Sequence, residues 1–472
     1  MNYDVIVIGN TPVGRYAALT AAFWEARVAL VTQDISFAAQ GDWFYHFSLT
    51  QLTAIAQKWN NVQPIASPPL ERYQQWGQQV IAVMEQEQAF VKLAAQGIDV
   101  IEGKGEFCRL PQQAFIVNDE SLKAPAYLIA TETSPIFPEV ANLSEAGCLT
   151  LTDLRQKHRL ETLPNNLTII GESPEAISLA QNLAKLEKNI TLSLPNSHLF
   201  AKEDEEIAYL LQAQLEGDGI NLLTASALSD IRKTENGKWL QLGNHTMETE
   251  ELIIVPEKTP NVEGLNLEGV KVDYTHEGLA VNRKLQTTNQ NIYGCGGVIG
   301  GYPFFNLARY EAQIVLKNAL FYPRHKVDYR TIPYLISIHP PLARVGLTER
   351  QAKRRYGNKV VVFKDYFKDN SLSIIQGELS GLLKLIVHQN GKIIGATGIG
   401  NNVGELVNII AIALAKNWKM KQLKSVSFVS PSVSDLLTNI VQKWDFYYYQ
   451  THPLLRKLRK QYFLFRRNPM QE

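Results

Sequence analysis

Two strand–glycine turn–helix–strand units in one chain, with a change to strands, helix and strands after Tyr329, predict an α/β protein of two Rossmann-like dinucleotide-binding folds and a separate α+β domain. Composition agrees. A chain of 472 residues, 45% apolar and 20% charged, has material for about three domain cores. Its net charge of +1 argues against a globally basic nucleic-acid binder, and its apolar content against a disordered chain.

The elements follow in order. VIVI, at Val5 to Ile8, is a continuous apolar run of the kind that forms a strand buried on both faces. GNTPVGRYAALTAAFW, starting at Gly9, reads as a glycine turn opening a helix, and VALVTQ, at Val28 to Gln33, as the next parallel strand. Residues 70–95 carry one long helical pattern, and residues 100–129 break into short β-like runs ending in YLIATETSP, so the first unit closes near residue 130. LTIIGESPEAISLAQNLAKLEKNITLSL repeats the grammar, with a strand from Leu167, a turn at Gly171, a helix from Pro174 and a strand from Ile190. LIIVPEKTPN and NIYGCGGVIGG then end the second unit and return the chain to the first. The boundaries expected are 1–150 with 281–330 for the first fold, 151–280 for the second, 331–443 for the α+β domain, and 444–472 for a tail.

A glycine-rich strand-to-helix turn suits a dinucleotide for three reasons: the tight turn, close backbone approach to the pyrophosphate, and close packing of helix on strand. Gly9 and Gly14 hold the outer positions of the first turn, with Thr11 where a phosphate would meet bare backbone; Gly171 and Ala176 hold those of the second, with Ser173 at its centre. The three cysteines, Cys108, Cys148 and Cys295, are too few and too scattered for a disulfide framework or thiolate metal site, so a reducing compartment is expected. No apolar run nears the ~20 residues that span a bilayer, and Met1 leads straight into DVIVIG, so the expected location is cytoplasmic. None of the nine histidines forms a ligand pair, and His339, beside Pro340 and Pro341, reads as a turn residue; no metal site and no Ser–His–Asp triad is expected.

To about residue 443 the chain resembles the flavoprotein disulfide reductases, the family of lipoamide dehydrogenase, glutathione reductase and mercuric reductase. DVIVIGNTPVG looks like the flavin turn, IATETSP like the ATG segment, IIGESPEA like the nicotinamide turn and PEKTPN like a worn GRxPN. NIYGCGGVIGG looks like the second flavin signature, and LARVGLTERQA like the opening of the dimerisation domain. The resemblance implies FAD held by Gly9, Thr11, Gly14, Ala130, Thr131, Gly296 and Gly297, a nicotinamide cofactor at Gly171, Ser173 and Ala176, and a homodimer.

Matched position by position, the chemistry departs from the pattern. The CxxxxC redox pair falls near Asp42 and Phe47, neither a cysteine, so dithiol exchange by the family route is not expected. The lysine that follows maps to Gln51, and the glutamate it pairs with to Ser178. The acid–base motif HPTxSE reads SPSVSD, giving Ser430 and Asp435, and a serine hydroxyl does not shuttle protons near pH 7 as imidazole does. No catalytic residue is assigned. The adenosine-ribose carboxylate falls at Thr32, with Asp34 as a late substitute; the ribityl-binding Gly-Asp reads Gly296-Gly297; the glycine of ATG is Glu132. Each such loss costs about 0.5–3 kcal/mol, so FAD binding is expected to be weakened or remodelled. LSLPNSH, from Leu192, has neither an acidic ribose ligand nor arginines for a 2′-phosphate, and the second fold is expected to bind NAD(P)H poorly or stand empty. The rings of Trp43, Phe44, Tyr45, His46 and Phe47 fall where the disulfide would face a flavin, to stack on it or to pack a helix start, and Cys295 reads as a buried structural thiol.

Beyond residue 443 the tail holds six basic residues, Arg456, Lys457, Arg459, Lys460, Arg466 and Arg467, against two acidic ones. On a helix after Pro453, Leu454, Leu455, Leu458, Tyr462 and Phe465 share a face, which suits an anionic membrane surface, an acidic partner, or docking on the protein's own dimer; nucleic acid is not expected. Two functions stay open. One is an FAD-dependent oxidoreductase passing electrons from NAD(P)H to a quinone or other acceptor without a protein dithiol. The other is a pseudoenzyme serving as a dimeric scaffold that binds a protein or membrane, in which case the protein is cytoplasmic but peripheral to a membrane.

Overall fold

The structure, a computed structural model, describes residues 2–33, 48–53, 55, 70–87, 90–109, 111–155, 160, 162–197, 199–200, 203–301 and 304–467. Asp34, residues 42–47 and His198 lie outside the described residues. The chain forms two compact units, residues 1–199 with 214–328, and residues 200–213 with 329–472.

The strands of the first unit include β1 (Val5–Ile8), β2 (Val28–Val31), β3 (Ile98–Ile101), β4 (Ala126–Ile129), β5 (Thr133–Ile136), β6 (Asn166–Ile170), β7 (Asn189–Ser193), β8 (Asn221–Leu223), β9 (Glu251–Ile254), β10 (Glu257–Pro260) and β11 (Ile292–Gly294). Helix α1 is Pro12–Phe23, α2 is Pro174–Lys185 and α3 is Phe305–Leu320. Two parallel sheets result, ordered β11-β4-β1-β2-β3 and β8-β7-β6-β9, each begun by a βαβ unit. The all-apolar sequence of β1 has its reason here. Val5 and Val7 face Ala17, Ala18 and Ala21 of α1, whose small side chains let the helix lie close, together with Ala312 and Val315 of α3. Ile6 and Ile8 face Phe107, Phe115 and Tyr127, a T-shaped aromatic cluster with ring centroids 5.0 and 5.5 Å apart.

Two details differ from the sequence reading. The helical pattern of residues 70–95 is delivered as Leu70–Glu87 and Phe90–Ala94. Strand β2 stops at Val31, not Gln33, because Gln33 turns to φ +56° and its amide bonds the Gly105 backbone, accepting from N–H at 2.9 Å and donating to the carbonyl at 2.6 Å.

The second unit has β12 (Tyr334–Ile336), β13 (Leu342–Gly346), α4 (Glu349–Tyr356), β14 (Val360–Tyr366), β15 (Leu382–His388), β16 (Ile393–Ile399), α5 (Val403–Ala415), α6 (Asp435–Thr451) and α7 (Pro453–Arg467). Its antiparallel sheet runs β12-β13-β16-β15-β14, and Leu406, Val407 and Ile410 of α5 join Leu437 and Ile440 of α6 in the core against it. A boundary at 443/444 would cut α6: Trp444 is buried with Leu437 and Val441, and the tail proper begins at Pro453. Inside this unit the buried Lys384 ammonium meets Asp204 at 2.8 Å, Glu349 at 2.7 Å and Glu206 at 3.1 Å, while Arg344 meets Glu203 at 3.1 Å. These pairs tie residues 203–206 to the sheet. No described helix is long and apolar enough to cross a membrane.

Candidate functional site

Parallel strands of one sheet end together, and their carboxyl ends gather the loops that follow them. After β1 come Gly9, Asn10 and Thr11; after β4 come Ala130, Thr131 and Glu132; after β11 come Cys295, Gly296 and Gly297. Gly9 has φ +118°, and a Cβ there would lie 2.4 Å from the Ala130 carbonyl oxygen; on Gly14 it would lie 2.1 Å from the Gly9 carbonyl oxygen. Only glycine fits either place. Thr11 departs from the obstructive role its position suggested. As N-cap of α1 its hydroxyl turns inward, accepting from Gly14 N–H at 3.1 Å and donating to the Ala130 carbonyl at 2.7 Å. The first turn of α1 carries no acidic residue, so its positive end is open to an anion. Thr131 donates to the Asn261 carbonyl at 2.5 Å, and Thr32 accepts from Gly103 N–H at 3.1 Å, so both hydroxyls are used inside the fold.

The second turn repeats the geometry with one change. Gly171 has φ +145°, a Cβ there would meet the Val255 carbonyl oxygen at 2.7 Å, and Ser173 caps α2 by accepting from Ala176 N–H at 3.3 Å. But Glu175 stands in the first turn of α2, 2.7 Å from Lys258. Burial alone would raise its carboxyl; the Lys258 ammonium outweighs that and holds it below the usual carboxylate range. This helix start already carries an ion pair, whose two residues stand in IIGESPEA and PEKTPN but meet only in the fold.

Glu132 departs further from expectation. With φ +58°, it folds its carboxylate over the loop after β11 and accepts from Gly297 N–H at 2.9 Å, while Glu311 of α3 accepts from Gly296 N–H at 2.9 Å. Burial pushes the Glu132 carboxyl up, opposed by the Gly297 amide and by Lys258. Burial, reinforced by Glu311 and Glu132, pushes the Cys295 thiol well up, so it is no nucleophile near neutral pH. All three cysteines are free.

The positions matched to the ion pair do not meet. Ser178 meets Thr50, not Gln51, hydroxyl to hydroxyl at 2.8 Å; Asn182 donates to Thr50 at 3.0 Å, and Thr53 donates to Asn182 at 3.2 Å. Gln51 is exposed, one residue round the helix from the contact. A buried hydroxyl–amide network therefore stands where the resemblance implied lysine and glutamate. In the second unit Ser430 and Asp435 do meet, Oγ to Oδ2 at 3.0 Å, in an exposed position. Among the described residues no cluster of His, Cys, Asp and Glu could hold a metal ion.

Comparison with known proteins follows this geometry. The family described as Pyridine nucleotide-disulphide oxidoreductase matches residues 3–312, and its dimerisation domain matches residues 332–440. The chain is 30% identical over 344 residues to mercuric reductase of Staphylococcus aureus, covering 71% of this chain and 61% of that protein. It is 28% identical over 369 residues to dihydrolipoyl dehydrogenase of Bacillus subtilis (strain 168), covering 76% of this chain and 78% of that one. Across three matched mercuric reductases the aligned part spans 50% to 61% of their length. Its fold is similar to the HOCl-induced flavoprotein disulfide reductase RclA from Escherichia coli, solved as a Cu(II) complex, with TM-score 0.81 at 23% identity over 94% of this chain and 99% of that one.

Proposed function

The chain belongs to the pyridine nucleotide-disulphide oxidoreductase family, and from that premise we propose that it is a homodimeric FAD-dependent oxidoreductase that passes electrons from a reduced pyridine nucleotide to a quinone-like acceptor without a protein dithiol. The observation that carries the reading is the first turn: a Gly9–Ala130 approach that admits no Cβ, beside a helix start free of carboxylates. Gly9, Thr11 and Gly14 would frame the diphosphate, Ala130 and Thr131 the neighbouring strand end, and Gly296 and Gly297 the loop after β11, with Asp34 left as the proposed ribose ligand. FAD, when bound, supplies two-electron transfer from nicotinamide to acceptor. The chain's own part is to bind and orient. Gly171, Ser173 and Ala176 are the proposed nucleotide turn of the second fold, where the helix start carries Glu175 paired with Lys258 in place of the carboxylate-free start of the first fold. What supports a route without a dithiol is that Asp42 and Phe47 stand at the positions matched to the redox pair, that Cys295 is buried with a raised thiol, and that position 430 is serine.

The test is steady-state turnover of FAD-loaded protein with NADH and with NADPH. Reduction of a soluble benzoquinone is expected, with no turnover of lipoamide, glutathione disulfide or mercuric ion above the flavin-free background. Efficient reduction of any of these three would overturn the proposal.

A second feature supports an association of the same protein with an anionic lipid surface. All of α7 after Pro453 is exposed, with Leu454 at 75%, Leu458 at 62% and Phe465 at 65%, and it carries six basic residues and no acidic one. Removing residues 453–472 is expected to abolish salt-sensitive sedimentation with phosphatidylserine-containing vesicles while the dimer mass stays unchanged. Loss of dimer mass instead would assign α7 to the subunit interface.

A further inference from the structure

Strands β4 and β11 are parallel neighbours, with Ile129 beside Gly294, so the loops that follow them lie side by side. Glu132, in the first of these loops, holds φ +58°, a left-handed backbone state that is unfavourable for a residue with a β-carbon. Its carboxylate explains where that conformation leads. A Cβ built on Gly296 would lie 2.5 Å from Oε1 of Glu132, and one built on Gly297 would lie 2.5 Å from Oε2. The carboxyl group of Glu132 thus fills the space above both glycines, where the first atoms of a side chain at 297 would stand. Glu132 and Gly297 are complementary: a carboxyl at 132 needs no side chain at 297, and a carboxyl at 297 needs none at 132.

A carboxylate has about four lone-pair positions. Gly297 N–H at 2.9 Å takes one of them. The others suit hydroxyl donors, and a carboxylate facing a polyol gains charge-assisted bonds that are stronger than neutral ones. Resting on the flavoprotein reading above, we propose that Glu132 is the polyol-binding carboxylate of the flavin cleft, supplied from the end of β4 in place of a side chain at 297, and that it accepts hydrogen bonds from ribityl hydroxyls of FAD. The apparent loss of two flavin determinants is then one relocation of a carboxyl group between paired strand ends.

The experiment is FAD titration of the flavin-free full-length protein by quenching of flavin fluorescence, with thermal melting of the same flavin-free samples. Glu132→Gly is expected to bind FAD at least about tenfold more weakly while melting close to the parent, because relief of the left-handed glutamate offsets the lost bond from Gly297 N–H. Gly297→Asp alone sets two carboxyls in one space and is expected to melt lower and bind more weakly. The double variant Glu132→Gly/Gly297→Asp is expected to recover FAD affinity to within about threefold of the parent. Should Gly297→Asp not fold, Glu132→Gln keeps the shape without the charge and is expected to fall between parent and Glu132→Gly. Unchanged or tighter FAD binding by Glu132→Gly, or a double variant no better than Glu132→Gly alone, would overturn the assignment of Glu132 and leave the flavoprotein reading standing. A parent that binds no FAD would sink both.

Discussion

Replacing Lys384 by methionine is expected to cost the second unit about 3–5 kcal/mol and to lower its melting temperature by roughly 10 °C. The ammonium is 3% exposed and holds Asp204, Glu206 and Glu349 within 3.1 Å. Asp204 is itself 4% exposed, so losing the cation strands negative charge out of reach of water. The pH dependence gives a second, signed check. Burial opposes ionisation of Glu349, but Lys353 and Lys384 outweigh it and hold its carboxyl at about 2, against the ordinary 4.5. A group depressed on folding stabilises fully above its unfolded pKa and loses that contribution as pH falls through the folded one. Lys384 is shifted upward, against its burial, by Asp204 and Glu349, so its contribution persists across all neutral pH and is lost only under strongly alkaline conditions. The parent therefore loses its advantage on acidification. The gap in melting temperature between parent and Lys384→Met is expected to be full at pH 7 and to narrow between pH 4.5 and about 2. Circular dichroism melts across that range measure it, and a gap that is constant or widens in acid would contradict the ion cluster.

Gly9→Ala is expected to destabilise the first unit by about 3 kcal/mol or more and to abolish flavin uptake. Two costs combine there: a φ of +118° and a methyl group 2.4 Å from the Ala130 carbonyl oxygen, so α1 and the strand end must separate. Gly97→Ala separates the two costs, because Gly97 has φ +81° with nothing within 4 Å of a built Cβ. It is expected to lose only about 1 kcal/mol and to keep its flavin. Equal effects of the two variants in melting and FAD titration would show that close approach at Gly9 is not what shapes the turn.

The fold was legible because its signals are local. The four apolar residues of β1, the alanines at 17, 18 and 21 and the glycines at 9 and 171 each dictate what their own few residues do, and the second βαβ unit repeats the pattern. The extent of α6 was less so, since a composition change near residue 444 looks like a boundary, whereas Trp444 is tied to its helix by packing against residues distant in sequence. The site was legible as a place but not as an arrangement. Read singly, Glu132 and Gly297 are two defects; the space they share becomes visible only when β4 and β11 lie side by side. The contact of Ser178 with Thr50 instead of Gln51 is the same lesson at smaller scale, because one residue along a helix turns a side chain by about 100°. Thr11 stands in the sequence where a phosphate would meet bare backbone, and its role as the cap of α1 is visible only in its rotamer.

A flavin in this cleft is what separates an oxidoreductase from a scaffold. The decisive measurement is the visible absorbance spectrum of the gently purified full-length protein, before and after saturation with FAD and desalting, with the released chromophore quantified per chain. One FAD per chain, with bands near the usual flavin wavelengths that bleach on anaerobic addition of NADH or NADPH, is expected. A colourless protein that refuses added FAD would contradict it and leave the dimeric scaffold, with its exposed basic helix, as the reading to pursue.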